Sequence, residues 1–131
     1  MGLIKALRAL FRPPVVDWTP ARPKPSWPET VAGMYDRDLR YLNDDVVRVV
    51  YSADREKRFV ITKSKNRALY QYRFEQLQEL DDDEWVTSSQ DPDAFPAMWI
   101  ELGNRGFSVF GTEQEAWNDM THSPEYKLYF V

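Results

Sequence analysis

Strict alternation over "ALYQYRFEQL" puts Tyr70, Tyr72 and Phe74 on one side of the chain and Gln71, Arg73 and Glu75 on the other. That period of two belongs to a half-buried antiparallel strand, with the aromatic row facing the core. Two β-branched runs precede it, "VVRVVYS" at 46–52 and "RFVITK" at 58–63, separated by the turn residues "ADREK" and followed by "SKNR". Two shorter runs come later, "MWIEL" at 98–102 and "FSVF" at 107–110, around the glycine-bounded turn "GNRG". Short connections favour sequential neighbours, so the pattern predicts an antiparallel meander of about five strands. Trp85-Val86-Thr87 also reads as a return to strand after the acidic stretch before it.

Helical spacing appears in three places. At the N-terminus, Leu3, Ile4, Leu7, Leu10 and Phe11 share one face, and Lys5, Arg8 and Arg12 another. This is a short basic amphipathic helix stopped by Pro13-Pro14. From Pro28-Glu29, a helix-start signal, an irregular apolar stripe runs through Val31, Met34, Tyr35, Leu39 and Leu42 to Asn43-Asp44. The third is the clearest. Thr112 followed by Glu115 forms a capping box, and Ala116, Trp117 and Met120 follow at helical spacing. The final stretch "SPEYKLYFV" fits either a helical turn after Ser123-Pro124 or a strand.

Between the first two helices lies a proline-rich segment, with six of the nine prolines between Pro13 and Pro28. It is expected to run extended as a semi-rigid tether, with Trp18 or Trp27 packing on the domain or a partner. The expected organisation is therefore an amphipathic helix over 1–12, a linker over 13–28 and one α+β domain over 29–131. In that domain a helix precedes the sheet and a C-terminal helix packs on one face.

Composition changes this picture little. The 131 residues, 43% hydrophobic and 29% charged, suit an ordered domain with one core. Without cysteine, thiolate chemistry, disulfides and cysteine ligation are excluded, and a cytoplasmic location is expected. No apolar run reaches the ~20 residues of a bilayer span.

Charge changes it more. Residues 1–28 carry five bases against Asp17, and residues 55–78 carry seven bases against Glu56 and Glu75. Residues 79–93 carry Glu79, Asp81, Asp82, Asp83, Glu84, Asp91 and Asp93 with no base at all. Such segregation either steers a partner or is cancelled inside the fold, here by the basic turn at Lys63, Lys65 and Arg67.

The candidate chemistry is sparse. Four consecutive acids lack the alternating ligands and the glycine of a calcium loop. His122 is the sole histidine, just past a helix, where a dipole contact or plain solvation is the simplest role. Neither a phosphate-binding loop nor a dinucleotide fingerprint is present. Glu75, Glu79 and Glu101 could pair as acid and base, but spacing alone does not bring them together. An aromatic and basic sheet face could stack nucleic acid, yet alternation favours a core row and the pI near 5.0 opposes phosphate binding.

The expectation is thus a non-enzymatic protein-interaction module needing no cofactor. It would inhibit or antagonise a basic protein partner through Asp81, Asp82, Asp83, Glu84 and Trp85. Leu3, Ile4, Leu7, Leu10 and Phe11 would form a docking helix, toward a membrane surface or a second copy as alternatives. A small carboxylate-based enzyme is the remaining alternative.

Overall fold

The computed structural model describes residues 20–103 and 108–130. The predicted helix over 1–12, its docking residues Leu3, Ile4, Leu7, Leu10 and Phe11, and Trp18 lie outside them. The order is α1 (Trp27–Met34), β1 (Asp44–Tyr51), β2 (Lys57–Ser64), β3 (Tyr70–Glu79), α2 (Asp82–Ser88), β4 (Ala97–Glu101), α3 (Glu113–Thr121) and α4 (Pro124–Tyr129). The four strands form one antiparallel meander in sequence order. No helix among the described residues is long and apolar enough to cross a membrane.

The meander is as expected in class, with one strand fewer. Of the described residues of the fifth run, Phe110 alone pairs, in an isolated bridge to Tyr70. Trp85-Val86-Thr87 is helix rather than strand. The helix before the sheet starts at Trp27 and ends at Met34, well short of Asn43. It ends there because the next residues are drawn over the sheet. Asp36 and Asp38 take left-handed backbone (φ 59° and 58°), while the carbonyls of Arg37 and Asp38 face a buried arginine. Tyr35 and Leu42, placed on the predicted stripe, are exposed.

Both faces of the sheet are covered. On one, Phe59, Ile61 and Phe74 meet Ala116 and Met120 of α3, with Tyr70, Tyr72, Tyr126 and Phe130 packed around them. The alternating aromatic row is therefore a core row. Thr112 caps α3 by accepting from the Glu115 N–H at 3.1 Å. The ambiguous C-terminus is helical, capped by Ser123.

The other face carries α1, whose Met34 packs with Leu77 and Ala97 beside Trp27, Val31, Phe95 and Trp99. Close approach here depends on Gly33, where a Cβ would overlap the Phe95 ring, itself lying under the Arg37 guanidinium. Gly33→Ala would gain about 1 kcal/mol of helix propensity. Displacing a packed ring costs about 1–3 kcal/mol. A net loss of stability is expected in urea unfolding followed by tryptophan fluorescence, with recovery in the Gly33→Ala/Phe95→Leu double variant.

Candidate interaction surface

The acidic stretch is a helix start. Asp81 is the N-cap: its carboxylate accepts from the Glu84 N–H at 2.8 Å, and the Glu84 carboxylate accepts from the Asp81 N–H at 3.0 Å. Two orphan backbone donors are satisfied reciprocally, and the acids of the first turn lie at the positive end of the helix dipole. The aspartate run thus nucleates α2 rather than forming a solvated turn.

Trp85 holds this helix to the body of the protein. It is 3% exposed, and its indole N–H donates to the Arg22 carbonyl at 2.6 Å. The Arg22 guanidinium lies 5.1 Å from the Trp85 ring centroid and donates to the carbonyls of Ser89, Asp91 and Ala94. Lys24 donates to the Leu80 carbonyl and contacts Asp82 at 2.8 Å. Part of the proline-rich segment is therefore a strap over α2. Trp85 sits inside the molecule and orients the acids from beneath.

The acids themselves stay on the outside. Glu79, Asp81, Asp82, Asp83, Glu84, Asp91 and Asp93 are all exposed. Among the described residues, Lys24 on Asp82 is the only ion pair to any of them. The basic turn does not cancel them, since Lys65 reaches Asp45 at 3.9 Å and Lys63 lies over the Tyr70 ring. Their hydrogen-bonded contact pushes the Lys24 amine up and the Asp82 carboxyl down. The contact is therefore complete between the ordinary values of 3.8 and 10.5. It is lost as pH falls through the lowered Asp82 value or rises through the raised Lys24 value.

A second charged array lies within the α1-covered face, and sequence reasoning missed it. Arg58 is fully buried, pairs with Glu75 at 2.7 Å, donates to the Arg37 carbonyl at 2.7 Å and stacks on Trp99 at 4.1 Å. Glu75 also accepts from the Tyr41 hydroxyl at 2.7 Å. Burial first, and this hydrogen bond second, push the Tyr41 phenol up. Arg73 stacks on Tyr41 and reaches Asp44 and Glu101, each at 3.4 Å.

Of the candidate carboxylates, register sets Glu75 directly opposite Glu101, while Glu79 stands apart beside Ala97. Glu75 and Glu101 each face a guanidinium. The array is a locked ionic stack that ties the 35–44 segment to the sheet.

His122 caps α3 at its C-terminal end, with Nδ1 2.6 Å from the Asn118 carbonyl oxygen. Among the described residues, no group of three or more His, Asp or Glu is arranged to hold a metal ion. Beside the acidic helix, a hollow of about 310 Å³ is lined by Met34, Leu80, Asp91, Phe95 and Met98, among others. Comparison with protein-family models, with curated proteins and with solved structures returned no match.

Proposed function

We propose that this chain is a non-enzymatic protein-interaction module. It engages a basic partner through the acidic surface of α2 and the 91–93 turn, and acts as an inhibitor or antagonist by occupying that partner's cationic site. One observation carries the proposal: seven exposed acids lie within 79–93, and among the described residues a single ion pair, Lys24 on Asp82, answers their carboxylates, while Arg22 and Arg37 bond only to backbone carbonyls there. The surface is also pre-organised. The capping box and the buried Trp85 fix the helix before any partner arrives, which lowers the ordering cost of binding. Complementary charge of this kind sets encounter rate and partner choice more than raw affinity. The basic amphipathic residues of 1–12 are proposed as an additional docking arm, and the cytoplasm as the compartment, in keeping with a chain free of cysteine.

The test is retention of partners from cell extract by three versions of the full chain. One is unaltered. One carries Asp81→Asn, Asp82→Asn, Asp83→Asn and Glu84→Gln. A matched control carries Glu113→Gln, Glu115→Gln, Asp119→Asn and Glu125→Gln. Asn and Gln preserve the cap, so α2 remains folded. The expected result is severalfold loss of recovery in the α2 variant alone, together with a steep fall in recovery by the unaltered chain as salt is raised. Equal recovery by all three contradicts the proposal.

A further inference from the structure

β4 is an edge strand, and among the described residues no strand pairs with its outer side. The Leu102 N–H donates to Phe74 and the Leu80 N–H to Pro96, and the register between them turns the backbones of Met98 and Ile100 toward β3. By the same alternation, the N–H and C=O groups of Trp99 and Glu101 point away from the sheet. No hydrogen bond among the described residues reaches them. The opposite edge is guarded differently. β1 is broken by a bulge between Val46 and Arg48, and its charges are answered by Lys65 on Asp45 and Glu113 on Arg48.

Acids outnumber bases around the β4 edge. Glu79 stands in register with Ala97 at its start, Asp38 and Asp91 share the hollow beside Met98 with Arg37, and Glu101, exposed at its end, is reached by Arg73. Met98, 45% exposed, adds apolar surface. A second copy of this strand would bring the same acids against themselves. A cationic strand would meet them with opposite charge.

We infer that the β4 edge binds an extended basic segment of the partner, which adds a fifth strand alongside Trp99 and Glu101. Main-chain hydrogen bonds supply part of the affinity, and the flanking acids select alternating basic side chains. The inference rests on the interaction reading above and makes it specific, since a basic helix or folded basic patch would satisfy α2 but could not pair with β4.

The experiment uses the full chain and a short synthetic peptide of alternating Lys and Val. A second peptide of the same sequence has every backbone amide N-methylated, which leaves its side-chain charge unchanged and removes the ladder donors from both of its edges. Amide hydrogen exchange is read by NMR. With the plain peptide, exchange at Trp99 and Glu101 is expected to slow by at least about tenfold, and with the methylated peptide it does not slow.

Four results overturn the inference, in whole or in its charge selection. If both peptides bind equally and perturb only 81–84 and 91–93, the edge is not used, while the acidic surface still binds cations. If neither peptide binds, the acidic surface fails as well. If Trp99 and Glu101 become protected without peptide while light scattering shows a doubled mass, the occupant is a second copy. Protection that persists undiminished in the chain carrying the four α2 substitutions separates the edge from the acidic reading and removes the charge selection.

Discussion

Arg58→Ala is expected to cost about 3–5 kcal/mol of folding stability, the cost of breaking a buried ion pair from one side. A typical domain has only about 5–15 kcal/mol in total. The reason lies in what is left behind. Glu75, 6% exposed, would be left with the Tyr41 hydroxyl as the hydrogen-bond partner of its carboxyl, and the Arg37 carbonyl would lose its buried donor. Arg58→Lys should recover only part of the loss, because an ammonium cannot reproduce the fork that reaches Glu75 and Arg37 together, nor stack on Trp99. Arg58→Met with Glu75→Leu should be milder than Arg58→Ala alone, since both charges leave together. Thermal unfolding of the four proteins checks the order. If Arg58→Ala is no worse than the double variant, the stack is not a coupled unit.

Trp85→Ala is expected to be similarly severe, about 3–5 kcal/mol, in the range of buried aromatic truncations. Its effect should also be local. Arg22 stacks on the ring and the indole N–H holds the Arg22 carbonyl, so truncation frees the 20–26 strap and loosens α2. Trp85→Phe keeps most of the apolar contact and loses one hydrogen bond, a cost of about 1 kcal/mol from that bond. Amide exchange over 82–88 should quicken in Trp85→Ala well beyond the change at β2, with Trp85→Phe between. A uniform change across the chain would show that Trp85 supports the core as a whole and does not orient the acidic helix.

Local patterns carried much of this fold into view. The alternation at Tyr70, Tyr72 and Phe74, the β-branched runs of β1 and β2, and the Thr112 N-cap each depend on neighbours a few residues away, and each appears where the pattern put it, although the Glu115 carboxylate bonds the Thr112 hydroxyl and not its N–H. The Asp81–Glu84 box has the same spacing as the Thr112–Glu115 pair. It was hidden because four consecutive acids also satisfy the pattern of a solvated turn, and only the reciprocal backbone bonds distinguish the two.

Long-range pairing was not legible. Arg58 and Glu75 are 17 residues apart in sequence, and Arg73 and Glu101 are 28 apart. A charge on the outer row of a strand looks the same whether water or a second layer covers it. α1 ended early for a related reason: tertiary bonds from Arg58 to the Arg37 and Asp38 carbonyls outweigh the stripe that would have carried the helix to Leu42. In the candidate surface, the acids were visible one by one. The role of Trp85 was not, because its indole answers a carbonyl 63 residues away.

The most direct measurement is of the potential itself. Amide-proton relaxation by a cationic and an anionic nitroxide of matched size, recorded on the full 131-residue chain at low salt, reports the local sign of the field at each backbone position. The cationic probe should relax the amides of 81–84 and 91–93 severalfold more than the anionic one, and the excess should shrink as salt is added. Equal relaxation by the two probes over those residues would mean that the acids are already neutralised within the chain, and would contradict the proposed mode of action.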